Sequence, residues 1–337
     1  MSPERSAAGA AVPPSAREQI QRRKSRAAVI SVASNSFLVA AKLLVGFLIG
    51  SVSVISEAIH SGVDLVAAAI ALYSVRTSSK PADAGHPFGH GKIENISGTI
   101  EALLIFAAAG WIIYEAAGKF IHPEPLDAPL LGVAVMLVSC VTNIFVSRML
   151  FRVGRETDSV ALVADAWHLR TDVWTSFGVT VGLGILWIGQ WVLPGTDLHW
   201  IDPACAIGVA VLIIKAAYDL TRQAARDLMD ASLPPAEEAC IRQIVEAERR
   251  IVNGYHALRT RKAGHFRFIE FHIQVDPLMS VADSHALTQK LCRTIQSRIP
   301  NATITIHVEP CAGECSPVCR EGCLVPESEK PQKGDAT

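Results

Sequence analysis

The sequence predicts a mainly α protein: a six-helix transmembrane bundle followed by a small cytosolic ferredoxin-like α+β domain. Three observations predict it. Six apolar stretches precede residue 222, each able to supply the roughly 20 residues that a membrane-crossing helix needs. Beyond Arg222 the composition turns into that of a soluble domain with both helix and strand periodicities. Positive charge alternates between the connectors. Half of the 337 residues are apolar and mean hydropathy is positive, too apolar for an ordinary soluble chain. A net charge of −1 gives no reason to expect nucleic acid as a partner.

The predicted organisation is a cytosolic arm over 1–26, a six-span domain over 27–222, a metal-binding ferredoxin-like domain over 223–310 and a Cys-rich flexible tail over 311–337. The arm, rich in Ser, Pro and Ala up to about Ala16, lacks the apolar core of a signal peptide, so no cleavage is expected. The spans are placed at Ala27–Ile49, Val52–Val75, Ile96–Phe120, Leu130–Leu150, Val160–Ile188 and Ile201–Leu220. Gly50-Ser51 makes the first connector a tight hairpin. Arg17, Arg22, Arg23, Lys24 and Arg26 precede the first span; Arg76, Lys80 and Lys92 flank the second connector; Arg148, Arg152 and Arg155 flank the fourth. The opposite connectors are nearly bare of Lys and Arg, so the positive-inside rule puts both termini in the cytoplasm.

In the soluble part, Pro234-Pro235 opens a helix over Ala236–Glu248. Ile251–Arg261 and Phe266–Asp276 read as strands joined by a turn at Ala263-Gly264-His265, followed by a helix at Val281–Ile299. Ala302–Glu309 alternates Ile304, Ile306 and Val308 with Thr303, Thr305, His307 and Glu309, the period of a half-buried strand. The order α-β-β-α-β suggests the ferredoxin-like layer.

Two echoes carry the chemistry. His60-x-x-x-Asp64 and His168-x-x-x-Asp172 each lie inside an apolar stretch. Residues four apart share a helix face, and ionisable groups at bilayer depth are functional candidates. Facing each other, the pairs would offer two imidazoles and two carboxylates, a set that tetrahedral zinc accepts. Asp165, a turn before His168, is either a supporting relay group or a helix contact; Asn35, Lys42 and Glu101 read as interior packing or pathway residues. A second cluster, Asp83, His86 and His90, occupies a loop bent by Gly85 and Pro87. A third, His256, His272, His285, His307 and Glu309, is spread over the soluble domain, where polar strand faces could gather imidazoles around a metal. Of the eight cysteines, Cys311, Cys315, Cys319 and Cys323 crowd the tail, either as a soft-metal chelate or as a partly oxidised disordered segment. No His-Glu-x-x-His motif or nucleophile elbow is present, which speaks against a membrane hydrolase and against an enzyme generally.

Pro81-Ala-Asp83 running into His86-Pro-Phe-Gly-His90-Gly-Lys92, Ala164-Asp165-Ala-Trp-His168 with Asp172, Leu228-Met-Asp230 and His256-Ala-Leu-Arg-Thr-Arg261, taken with His60-x-x-x-Asp64, resemble the cation diffusion facilitator family of membrane metal transporters. The resemblance covers about residues 25 to 311. It implies a homodimeric inner-membrane antiporter that exports divalent cations in exchange for protons, with His60, Asp64, His168 and Asp172 as transport site. It further implies Asp83, His86 and His90 as a loop site, the five soluble-domain residues as paired cytosolic sites supporting the dimer, and Lys92 paired with Asp230. Many bacterial members carry Asp where His60 stands. The two-plus-two set here is the pattern that the family associates with Zn²⁺ selected over cadmium. From donor chemistry alone Fe²⁺, Co²⁺, Ni²⁺ or Mn²⁺ stay open as cargo, and a membrane metal sensor without transport is the other open reading.

Overall fold

The computed structural model describes residues 16–49, 52–121, 130–192, 200–311 and 322–326. The chain divides into two units, Met1–Thr221 and Arg222–Thr337. The first unit is built on long helices: α1 Ala16–Ile49, α2 Val52–Ser78, α3 Lys92–Ile121, α4 Leu130–Glu156, α5 Val160–Val192 and α6 Ile201–Leu228, whose last turns run into the second unit. Among the described residues, Glu18–Leu48, Lys92–Gly118, Leu137–Glu156 and Pro203–Leu228 are long and apolar enough to cross a membrane.

The outward surface of these helices is apolar. Phe37, Leu44, Phe47, Trp111, Tyr114 and Phe145 are all exposed, as lipid-facing residues must be where no water drives apolar side chains inward. The interior is made of small residues. Ala27, Ala28, Ala161, Ala166 and Leu169 bind α1 to α5 together with Val75 of α2 and Leu150 of α4. Ala102, Ile105 and Ala109 of α3 meet Ala164 of α5 and Ile213, Ala217 and Leu220 of α6. Helix α5 thus belongs to both cores. Gly98 shows how close α3 and α5 come: a Cβ there would lie 2.8 Å from Val160 Cγ1.

Helix α1 runs Ala16–Ile49, so residues 16–26 of the arm expected over 1–26 are helical. Lys24 in that stretch is fully buried and ion-paired with Glu94 of α3. Its charge, counted among those that precede the first span, is inside the bundle. Gly50 and Ser51, the predicted hairpin, lie outside the described residues.

In the second unit, α7 (Pro235–Glu246) and α8 (Val281–Arg298) accompany β1 (Gly254–Ala263), β2 (Phe266–Val275) and β3 (Ala302–Pro310). The sheet order is β1-β2-β3, with β1 antiparallel and β3 parallel to β2. Pro234 and Pro235 fix the start of α7. Ser280 caps α8 by accepting from the Asp283 N–H at 3.1 Å. Ile269, Phe271 and Ile273 of β2 pack under Ile241, Val245, Leu287, Leu291 and Ile295 of the helices. Alternation then sends His272, Glu270 and Gln274 to the opposite face. The predicted α-β-β-α-β order is what the structure shows.

Of the tail expected over 311–337, residues 311 and 322–326 are described, and the second stretch pairs with β1. Cys323 forms an antiparallel bridge with Gly254. The Tyr255 N–H donates to the Gly322 carbonyl at 3.0 Å, and the Leu324 N–H donates to Asn253 O at 2.8 Å. Leu324 packs against the domain core. Two glycines make this approach feasible: a Cβ on Gly322 would lie 1.6 Å from Tyr255 O, and one on Gly254 would lie 3.2 Å from Gly322 O. Cys140, Cys205, Cys240, Cys292, Cys311 and Cys323 are free thiols; burial pushes the Cys292 thiol up from its ordinary value. Cys315 and Cys319 lie outside the described residues.

Candidate metal centres

Helical spacing alone puts His60 and Asp64 on one face of α2, and His168 and Asp172 on one face of α5. Packing of α2 against α5 then closes the two faces on each other. His168 Nε2 lies 2.9 Å from Asp64 Oδ1, and both side chains are buried. Asp172 is near enough for its charge to act on His168, and its Oδ2 accepts a hydrogen bond from Asn143 Nδ2 of α4 at 3.4 Å. The side chain of His60 lies outside the described residues. The contact therefore joins one member of each predicted pair, rather than two members of one. Asn143 was not singled out from the sequence; a lone amide in the apolar Leu130–Leu150 stretch was the available signal.

The loop between α2 and α3 is folded by its own carboxylate. Asp83 Oδ1 accepts from the backbone N–H of Gly85 at 3.0 Å and of His86 at 2.7 Å, and Gly89 takes a positive φ of 83° to return the chain. The His86 N–H foremost holds the Asp83 carboxyl below the usual carboxylate range, so it is an anion at neutral pH. His86 Nδ1 and His90 Nε2 each stand 3.4 Å from an Asp83 oxygen. Two ligands on a tetrahedral zinc with bonds of about 2.0–2.1 Å are separated by about 3.3–3.4 Å. The three donors, all within 4.8 Å of one another, fit such an ion with a position left for water or another ligand. His90 is nearly covered, and its Nδ1 has no hydrogen-bond partner among the described residues.

The third cluster is a product of strand register. His256, His272 and His307 stand side by side across β1, β2 and β3, with ring centroids 5.0 and 4.8 Å apart. A bulge after His256, where Ala257 takes a φ of 51°, allows β1 to keep this register. Glu309, two residues beyond His307 and so on the same face, reaches all three rings: 2.7 Å to His272 Nδ1, 3.3 Å to His256 Nε2 and 3.6 Å to His307 Nε2. His256, His272 and Glu309 each place one donor within 4.8 Å of the others, again a partial tetrahedral set. His285 is not brought to this group within the chain. It sits exposed on α8, which packs on the other face of the sheet.

Asp230 pairs with Arg261 at 3.4 Å inside the second unit. The buried knot around Glu94 was missed in the sequence: besides Lys24, its carboxylate accepts from Ser78 Oγ at 2.7 Å and from Ser159 Oγ at 2.5 Å. The available signal was one acid at the head of an apolar helix and one lysine a few residues ahead of another.

Residues 28–229 match the cation efflux transmembrane domain, and residues 233–311 match the cation efflux protein cytoplasmic domain. Among curated relatives, an uncharacterized transporter of Synechocystis sp. is 36% identical over 84% of this chain and 89% of its own length. The cation-efflux pump FieF of Cronobacter sakazakii is 33% identical over 86% of this chain and 93% of its own. A solved structure of CzrB in its Zn form is 37% identical, covering 25% of this chain and 96% of that one, with a TM-score of 0.23. The chain belongs to the cation diffusion facilitator family, the integral membrane transporters that export divalent metal cations.

Proposed function

We propose that this protein exports Zn²⁺ from the cytoplasm in exchange for protons, by alternating access around a site formed by His60, Asp64, His168 and Asp172. The observation that carries the reading is the 2.9 Å contact between Asp64 of α2 and His168 of α5, buried between two helices of the bundle. Two carboxylates offset the charge of a divalent ion there and reduce its desolvation cost. Imidazole and carboxylate ligands release protons as they take metal, which couples the two fluxes. The protein would work as a homodimer in a bacterial inner membrane, both termini in the cytoplasm.

In the same reading, Asp83, His86 and His90 hold a second cation in the loop, and His256, His272, His307 and Glu309 hold zinc on the open sheet face. Such ions would bridge elements of the fold and supply fixed positive charge. His285, on the wrong face to join its own chain's cluster, could complete that of a second copy.

The test is purified protein in liposomes, with zinc flux and internal pH recorded together. His60→Ala or Asp172→Ala should abolish zinc-driven proton movement while circular dichroism and dimer mass stay unchanged. Full-rate zinc flux in the double variant would place the transport site elsewhere. His60→Asp should loosen discrimination against cadmium; unchanged selectivity would count against the assignment of that position. A panel of Fe²⁺, Co²⁺, Ni²⁺ and Mn²⁺ under the same gradient decides the cargo.

A further inference from the structure

Beside the Asp64–His168 contact lies a second buried acidic pair that no metal ligand set uses. Glu101 of α3 and Asp165 of α5 are both 0% exposed, and the Asp165 carboxylate is near enough to act on Glu101. Each is a neighbour in its own helix of the place where α3 and α5 approach, Gly98 against Ala164 and Val160. Of their four oxygens, one accepts a hydrogen bond, from Ser97 Oγ to Glu101 Oε1 at 3.1 Å. The other three have no partner among the described residues. Two further polar groups on α1 stand in the same condition. Ser31 Oγ lies beside Asp165 without closing a hydrogen bond, and Asn35 Nδ2, one turn along the same face, is buried and unpartnered.

Among the described residues no lysine or arginine acts on this pair, and the imidazole that acts on Asp165, His168, is engaged by Asp64 at 2.9 Å. Lys24 is engaged by Glu94, and Lys42 of α1 donates to Ser61 at 2.6 Å. Helix α6 turns Ile213, Ala217 and Leu220 toward α3 and α5 while its Lys215 and Asp219 point outward. Asp64 and His168 are the charged groups that face Asp165 from α2 and from its own helix. Two adjacent carboxylates out of water do not both stay ionised, and buried polar atoms without partners are costly. The missing element is small enough to enter a closed interior and positive: a proton.

We propose that Glu101 and Asp165 form a proton-binding station of the exchanger, separate from the metal ligands. The pair holds a proton while the metal site is empty and gives it up when a divalent cation binds at Asp64 and His168. The coupling is electrostatic and reciprocal: a divalent charge nearby favours the ionised pair, and a protonated pair weakens metal binding. The proposal rests on the transport reading above and adds a proton carrier to it.

The experiment titrates the detergent-solubilised full chain with zinc chloride in weak buffer, reading protons released with a pH dye and zinc affinity by calorimetry at several pH values. Infrared difference spectra with and without zinc report protonated carboxyl groups. Glu101→Gln/Asp165→Asn keeps the shapes and the Ser97 acceptor; each single variant serves if the double one does not fold. The expected result is retained zinc binding, about one fewer proton released per zinc ion, a flatter dependence of affinity on pH, and loss of the carboxyl band that zinc removes in the wild type. An unchanged proton count and carboxyl band would overturn the proposal. So would loss of zinc binding, which would make the pair part of the metal site. His168→Ala separates the two readings: wild-type zinc binding and flux in that variant would sink the transport site, whatever the acid pair does.

Discussion

Glu94 and Glu101 stand two turns apart on one face of the same helix, both 0% exposed, and the protein treats them oppositely. Glu94 receives a lysine from α1 and hydroxyls from α2 and from the residue preceding α5. Glu101 receives one serine from its own helix and a second carboxylate from α5. Burying a charge is tolerated when its partners are built in. Glu94 is therefore a fastening that joins the ends of several helices, complete without any ligand. Glu101 is incomplete in this sense: its second carboxylate oxygen has no hydrogen-bond partner among the described residues, and the charge that acts on it, Asp165, is of its own sign. Within this bundle, the degree to which a buried charge is answered by the fold separates what holds the helices from what handles ions.

The largest test of that separation is Lys24→Met. It leaves Glu94 buried without its cation, and unfolding in detergent should become easier by about 3–5 kcal/mol. Glu101→Gln, which removes a charge that the fold does not answer, should leave stability unchanged or raise it. Equal losses at the two positions would erase the distinction. A smaller effect is expected from Ser159→Ala. It deletes one hydroxyl that donates to the buried carboxylate, worth about 1.5–3 kcal/mol by chemical denaturation. Zinc affinity should stay at the wild-type level, since Ser159 belongs to the fastening and not to the ion-handling group. A drop in affinity without a drop in stability would join the two networks that the comparison keeps apart.

Much of this was legible in the sequence because it is periodic. Apolar length announced the helices, alternation announced β3, and four-residue spacing announced the faces of α2 and α5. What periodicity cannot carry is the identity of the partner across a helix interface. The contact that formed, Asp64 to His168, crosses the two motifs, and the Lys24–Glu94 pair joins residues 70 apart in the chain. The row of His256, His272 and His307 depended on strand register, including a bulge that pattern reading does not foresee. His285 was grouped with them by residue type, whereas its helix lies on the other face of the sheet. The docked end of the tail depended on two glycines meeting. Gly322→Ala should force that end off β1, at a cost of about 1–2 kcal/mol for the lost hydrogen bonds, and open the segment to protease. Unchanged cleavage would show that the pairing carries no protection.

The smallest expected effect concerns a third carboxylate, exposed and answered chiefly by backbone. Asp83 accepts from the Gly85 and His86 N–H groups, and the His86 N–H is the main cause of its lowered pKa. A carboxyl whose folded pKa lies below its unfolded one stabilises at every pH above the unfolded value. That contribution is lost as pH falls through the folded value. Amide-exchange protection of the loop in zinc-free protein, corrected for intrinsic rates, should therefore stay flat from about pH 8 to about pH 5. Asp83→Ala should lower it throughout that range. Asp83→Asn should fall between, since the amide oxygen still accepts but without charge. Water screens this site as it screens none in the bundle, so all three differences should be small. A steep loss of protection in the wild type above pH 5 would show that the turn does not depend on an ionised Asp83 held by its own backbone. Preorganisation of the loop for a cation would then need the cation itself, which would place Asp83 beside Glu101 rather than beside Glu94.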